Sequence, residues 1–217
     1  MGLVGVIALL LVLAQIFLPK LAASRISSRL GRYGKVDSVS VKARPAVKLL
    51  WGHADSVTVK ARSLSVSPAQ TAKLLWEARG LNDIDVTVAS ANEGRVRLSA
   101  VSLRKRGNTL AAQARVSAAD VKAALPDGLR LELLSTGGGE VAVRASGGLF
   151  GVRASVDAVA GASEGRLIAR PQGSFLEGLK LTLFSEPHVY VEGVGAIAAS
   201  GPSGPASYRL TITASLR

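Results

Sequence analysis

The chain has 217 residues, 48% of them hydrophobic, with 27 Lys plus Arg against 15 Asp plus Glu and a formal net charge of +12. That length and apolar content suffice for one substantial core and exclude intrinsic disorder. With no Cys and only two His, His53 and His188, there is no disulfide framework, thiolate metal site, thiol nucleophile or H-E-x-x-H zinc site.

Residues 2–18, GLVGVIALLLVLAQIFL, are apolar except for Gln15. As a helix they reach roughly 26 Å, close to the ~30 Å hydrocarbon core of a bilayer. They read first as a transmembrane anchor over residues 1–19, second as a cleaved signal peptide and third as a buried core helix. A signal peptide would want a basic leader, and Met1 to Val4 carries no basic side chain. Lys20, Arg25, Arg29, Arg32 and Lys35 follow, with no acidic residue before Asp37. Residues 20–35 therefore read as a basic juxtamembrane helix, with Leu21, Ile26 and Leu30 near helical spacing. Such a helix either lies along anionic lipid or forms a solvated stalk. Charge bias alone places the main domain in the cytoplasm, but long domains translocate largely regardless of charge. The expected localisation is a single-pass cell-membrane protein with its main domain, residues 36–217, extracytoplasmic.

Beyond Tyr33 the pattern turns to strands. Asp37 to Arg44 alternates apolar Val39, Val41 and Ala43 with polar Ser40, Lys42 and Arg44, and Asp55 to Arg62 repeats it eighteen residues later. Lys42, Arg44, Lys60 and Arg62 are thus expected to form a basic stripe on two strands. A short helix is expected from Pro45 to Trp51, ended by Gly52. A second is expected from Ser67 to Arg79, with Ser67 as N-cap, Pro68 at the first helical position and Gly80 at the end. Both carry Lys-Leu-Leu-Trp, at Lys48–Trp51 and Lys73–Trp76.

From Asn82 onward nearly everything reads as strand. Apolar parity changes between Val96-x-Leu98 and Val101-x-Leu103, which predicts a β-bulge near Ser99 and Ala100. Further strands follow at Leu110–Val116, Leu129–Leu133, Val141–Ala145, Val152–Ala158, Leu179–Leu183, Val189–Val191 and Tyr208–Leu216. A short helix at Ala118–Leu125, stopped by Pro126, interrupts them. One-sided strands joined by Gly turns predict an antiparallel sheet. Strands this numerous and long require curvature that closes the sheet on itself or on helices.

Two motif matches lack their context. Gly161-Ala-Ser163-Glu-Gly165 fits the hydrolase elbow, but strands flank it on both sides, so it reads as a hairpin turn. Gly193-Val-Gly195-Ala-Ile-Ala198 has no following helix to complete a dinucleotide-binding unit. No catalytic constellation remains, and a non-enzymatic protein without cofactor or metal is expected. Nucleic acid is disfavoured as the anionic partner, because single-strand binders interleave cations with exposed aromatics and only 4% of this chain is aromatic. Arg104-Lys105-Arg106, before Gly107-Asn108, reads as the solvated tip of a hairpin.

Pro45 to Leu64, PAVKLLWGHADSVTVKARSL, follows an apolar segment, a basic stretch and a strand. This order resembles the LmeA-type phospholipid-binding family of the actinobacterial cell envelope, with its Pro-initiated amphipathic helix, a Gly and then an Asp-Ser-Val-Thr-Val strand. The resemblance implies a fold similar to the tubular lipid-binding fold, an acyl-chain groove, phospholipid as partner and no catalysis. The full expectation is an α+β chain: a long curved antiparallel sheet wrapped around short amphipathic helices, preceded by a transmembrane helix that attaches it to the membrane. Anionic phospholipid would be bound or transferred through an apolar groove with a basic rim; the alternative is a membrane-anchored structural or scaffold domain that binds anionic membrane or polymer through its basic surface without a lipid cavity. Leu49, Leu50, Trp51, Leu74, Leu75 and Trp76 are the expected acyl-chain contacts, and Lys42, Arg44, Lys60 and Arg62 the expected phosphate contacts. Burial of each methylene contributes ~0.8 kcal/mol to such binding.

Overall fold

Alternating β-branched and polar residues form the first strands as their period of two requires. The computed structural model describes residues 18–51, 54–93, 96–149, 152–173, 178–199 and 207–217. β1 (Gly34–Lys42) and β2 (Ser56–Ser65) pair antiparallel, with Val39 opposite Val59 and Val41 opposite Val57. Val41, Val57 and Val59 are buried and receive Ala22, Ala23, Ile26 and Leu30 of α1 (residues 18–30), together with Leu49 from a 3₁₀ helix (Ala46–Trp51) between the strands. Each buried valine of this cluster contributes at most about 1.5–3 kcal/mol.

Chain direction then changes through a crossover. α2 (Pro68–Glu77) starts at Ser67, whose hydroxyl accepts the Gln70 N–H at 3.2 Å, while Gln70 Oε1 accepts the Ser67 N–H at 2.9 Å. This capping box and Pro68 at the first position begin the helix where the sequence predicts. Because α2 returns the chain to the end from which β2 began, β3 (Asp83–Glu93) runs parallel to β2, with Val57 opposite Ile84. β4 (Val96–Arg106) and β5 (Thr109–Ser117) continue antiparallel through the Gly107-Asn108 turn. The register slips between Ser99 and Ser102, with Ala100 at φ 47°, which is the predicted bulge.

α3 (Ala118–Ala124) follows, its Asp120 N–H held by the Ser117 hydroxyl at 3.0 Å. It leads into a second sheet, in the order β10-β9-β8-β7-β6, formed by β6 (Arg130–Gly137), β7 (Glu140–Leu149), β8 (Val152–Ser163), β9 (Arg166–Gln172) and β10 (Leu181–Phe184). Arg144 grips Asp157 through two bonds of 2.7 and 2.9 Å, and hydrogen bonding from this guanidinium holds the Asp157 carboxyl below the usual carboxylate range. The chain returns to the first sheet with β11 (Val189–Ala199) and β12 (Ser207–Leu216), completing the order β1-β2-β3-β4-β5-β12-β11.

The structure corrects the expected fold class. The protein is mostly β, in a seven-stranded and a five-stranded sheet rather than one long wrapped sheet. β12 takes the free side of β5, and the strands inserted after α3 pair among themselves in the second sheet. The anchor expected over residues 1–19 lies, apart from Leu18 and Pro19, outside the described residues. No helix among the described residues is long and apolar enough to cross a membrane. α1 exposes Lys20, Arg25 and Arg29 and seats its apolar side on the sheet, as a packing helix does. Membrane attachment through an N-terminal helix, and the single-pass extracytoplasmic localisation that rested on it, are therefore withdrawn.

Two interactions hold the layers in place. On β4, Lys105 points to the covered face of the sheet and is 1% exposed. Its ammonium donates to the carbonyls of Leu81 and, at 3.4 Å, Arg79, in the turn leaving α2. The Arg104-Lys105-Arg106 tip is thus only partly solvated: the middle residue pins α2 to the sheet. Burial pushes its pKa below the ordinary lysine value, partly offset by Asp83. At the other end of the sheet, β11 meets the turns of the five-stranded sheet. Val191 N–H donates to Gly165 O and Val194 N–H to Gly139 O, both at 2.9 Å, and Ala196 N–H donates to the Thr136 hydroxyl at 3.3 Å.

Gly165 has φ +77°, and a Cβ there would stand 2.2 Å from the Tyr190 ring. Gly165→Val is expected to cost at least about 2 kcal/mol in urea unfolding. Gly138→Ala, at φ +60° but with open space around it, is expected to cost about half of that; equal costs would contradict close packing at Gly165. Lys105→Met leaves two buried carbonyls without a donor and is expected to cost about 1–3 kcal/mol. Because the folded state holds Lys105 at a lowered pKa, the unfolded chain binds more protons between that value and the ordinary one. Wild type therefore gains stability over Lys105→Met as pH rises through this window, and a stability difference that is flat with pH would contradict the buried amine.

Candidate functional site

The expected acyl-chain residues do not line one groove. Leu75 is 8% exposed and sits with Ala72, Leu110, Val189, Ala214 and Leu216 under α2. Leu49 belongs to the other core cluster, beneath α1. Trp76 stacks on His188 with ring centroids 4.0 Å apart and planes 9° from parallel, and the Arg79 guanidinium lies 4.4 Å from its ring centre. Leu74 is half-buried, Trp51 is 68% exposed, and the Leu50 side chain lies outside what the structure describes. From the two Lys-Leu-Leu-Trp segments, Leu49 and Leu75 thus pack in two separate clusters, while Trp51 stays at the surface.

The expected basic stripe also divides. Lys42 stands opposite Ser56, whereas Lys60 stands opposite Ser38, four residues further along and about 13 Å away. Arg62 is paired with Asp37 at 3.2 Å. Lys42 and Arg44 do share a cleft of about 440 Å³ with Pro19, Val41, Ala43, Asp55, Ser56 and Asp83. Two carboxylates in that cleft work against an anion, and Asp55 Oδ2 already accepts the Arg44 backbone N–H at 2.6 Å.

A different place combines apolar and basic character. Between α3 and β6 a groove of about 260 Å³ is lined by Val121, Leu125, Leu129, Leu131 and Tyr208, with Lys122 and Arg130 beside them. Helical spacing brings Val121 and Leu125 onto one side of α3. Leu129 and Leu131 are apolar because β6 needs one apolar side, yet β6 is the edge strand of its sheet and Leu131 remains 39% exposed. Arg130 also lines a second cleft of about 380 Å³ with Ser146, Ser155, Ala154 and the glycines Gly128, Gly147 and Gly148. Arg130, Ser146 and Ser155 are direct cross-strand neighbours on β6, β7 and β8. Arg130 therefore lines both the apolar groove and the hydroxyl-rich, glycine-lined cleft, its side chain on the face of Ser146 and Ser155 and those of Leu129 and Leu131 on the other. Sequence reading found α3 and β6 separately. Their juxtaposition was not visible because β12, which supplies Tyr208, lies far along the chain.

The motif Gly161–Gly165 forms the end of β8 and the turn into β9, with Ser163 opposite Arg166 and Glu164 and Gly165 at φ 52° and 77°. It is a hairpin, as its flanks predict. Gly193 and Gly195 lie inside β11.

Neither the curated proteins nor the solved structures give a match to this chain. The LmeA-like phospholipid-binding family, in contrast, matches residues 11–209, well over half of the sequence. The chain belongs to the LmeA-like phospholipid-binding family.

Proposed function

We propose that the protein binds, and carries between membranes, a single anionic phospholipid without catalysing any reaction on it. The observation that carries this reading is the position of Arg130, shared by the apolar α3–β6 groove and the polar cleft beside it. A phospholipid is apolar on one side of its phosphate and polar on the other, and the two compartments match that order. Acyl methylenes lie against Val121, Leu125, Leu129 and Leu131, gaining about 0.8 kcal/mol for each one removed from water. The phosphate accepts hydrogen bonds from Arg130 and from the hydroxyls of Ser146 and Ser155, and charge-assisted bonds of this kind are roughly twice as strong as neutral ones. Lys122 adds a second cation at the groove and favours an anionic over a zwitterionic lipid. The Lys42–Arg44 cleft is the weaker headgroup seat because Asp55 and Asp83 share it.

Native mass spectrometry of the full chain, followed by organic extraction, tests the reading. Wild type is expected to retain or take up one phosphatidylglycerol. Leu125→Asp combined with Leu131→Asp is expected to reduce occupancy at least tenfold, since it places two charges where methylenes must lie. Arg130→Gln is expected to weaken phosphatidylglycerol loading about tenfold or more and phosphatidylcholine loading less. Lys42→Gln with Arg44→Gln should leave loading unchanged. Loss of loading in this last variant but not at Arg130 would move the site to the other cleft, and failure to load any lipid would overturn the proposal.

A further inference from the structure

The uncovered face of the seven-stranded sheet divides its charges in an uneven way. At one end, Arg104 and Arg106 are neutralised: Arg106 reaches Asp85 at 2.8 Å and Asp83 at 3.8 Å, and Arg104 reaches Asp85 at 3.7 Å. At the other end, cross-strand pairing lays out one row through Ser63, Ser90, Ser99, Arg115, Arg209 and Ile197, on β2, β3, β4, β5, β12 and β11 in turn. This row holds no acidic residue. Arg97, opposite Asn92, extends the patch on β4. Arg97, Arg115 and Arg209 are all exposed, and none takes part in an ion pair among the described residues.

Arg115 and Arg209 face each other directly across an antiparallel pair, with Cβ atoms roughly 5 Å apart. Like charges so placed destabilise the free protein, and a surface of negative charge relieves that repulsion. Beside Arg209 in the same row, Ile197 is 55% exposed. Cations and serine hydroxyls with a protruding aliphatic side chain fit a headgroup layer with hydrocarbon beneath it. The row has no aromatic on which a nucleotide base could stack. We infer that this face docks the protein on the surface of an anionic phospholipid bilayer. The inference rests on the reading that the protein handles anionic phospholipid, but it assigns separate residues to meeting the membrane and to holding the lipid molecule.

Sedimentation of the full chain with phosphatidylcholine vesicles, with and without a minor proportion of phosphatidylglycerol, tests it. Each near-surface cation is worth about fivefold in partitioning, so R97Q/R115Q/R209Q is expected to lower binding to the anionic vesicles by about a hundredfold. Pure phosphatidylcholine vesicles should bind both proteins equally weakly. K73Q/R166Q/K180Q removes the same charge from exposed positions elsewhere and is expected to lower binding less than tenfold; an equal loss would overturn the assignment to this face. The thermal midpoint of R97Q/R115Q/R209Q should be unchanged or raised, which keeps unfolding from imitating the result. Preferential binding of a short DNA duplex, lost in the same variant, would overturn the bilayer in favour of nucleic acid. Phosphatidylglycerol loading measured on these variants by native mass spectrometry should stay at the wild-type level. A protein that loads lipid but does not partition overturns the docking face alone, whereas one that loads none overturns the groove.

Discussion

The outer edge of β11 is the constraint on which the rest of the architecture depends. An edge strand presents unpaired N–H groups that water, another chain or the protein itself must satisfy. Here the N–H groups of Val191, Val194 and Ala196 donate to Gly165, Gly139 and Thr136, all in or beside the turns of the five-stranded sheet. The second sheet thus meets the first through its turns, without continuing its ladder. Such an approach demands small residues: the Cα atoms of Gly139 and Gly193 come so close that a Cβ on Gly193 would stand 3.2 Å from Gly139. Of the glycines that look like nucleotide-loop or nucleophile-elbow motifs in the sequence, Gly193 lets two backbones touch, whereas Gly161, Gly165 and Gly195 make room for the side chains of Glu140, Tyr190 and Thr211.

That junction also explains why a groove exists. β6 and β7 are joined by the turn that seals β11, and β12 pairs with both β11 and β5. Fixing the turn therefore fixes β6 relative to Tyr208 on β12 and to α3, which follows directly from β5. The three elements cannot close on one another, because α3 has only seven residues and none of them is fully buried. Val121 and Leu125, half-buried, and Leu131, 39% exposed, are left with apolar surface facing the groove. A chain selected only for stability would cover such surface, while a carrier must keep it available and release what covers it. Lys105 acts in the opposite sense at the other end, where its buried ammonium binds the turn after α2 and closes the core.

Local signals were legible and long-range ones were not. Ser67-Pro68 announces α2, Pro126 stops α3, and the parity change around Ala100 announces the bulge, because each is decided by residues within a few positions. β9 escaped notice because Pro171 lies in it. The structure accommodates that proline because β10 pairs β9 only from Leu167 to Ala169, so Pro171 has no partner on that side and its missing N–H costs nothing. Lys105 was misread because its neighbours Arg104 and Arg106 are surface cations, and only the alternation of faces along β4 separates it from them. Family membership was legible in the segment Pro45 to Leu64, and Leu49, Ala54, Val57, Val59, Ala61 and Leu64 of that segment lie in packing clusters. A segment that repeats helix, glycine and strand marks the fold's opening because the core is built there. The groove lies where late-arriving β12 meets α3 and β6, a contact that no window of sequence contains.

The net charge of +12 takes on a sharper meaning once its bearers are located. Arg62, Arg104, Arg106, Arg144 and Arg170 each have a carboxylate within ion-pair distance, and exposed pairs of this kind contribute little to stability. They nevertheless matter for binding, because they silence those cations toward any outside anion. Among the cations without an acid in ion-pair distance are Lys122 and Arg130 at the groove, and Arg97, Arg115 and Arg209 on the open sheet face. A uniformly basic surface would draw the protein to any polyanion in any orientation. One of these groups is concave and apolar-lined and the other is a flat face with a protruding isoleucine, which on the proposed reading distinguishes holding one lipid from lying on many. Because screening confines the attraction of the exposed face to within about 8 Å at physiological ionic strength, the docking face proposed above would act only once the protein is near a membrane, whereas the proposed acyl-chain burial in the groove would persist after it leaves. Transfer as proposed here would need that division, since contact with the bilayer must be reversible while contact with the cargo must last through the transfer.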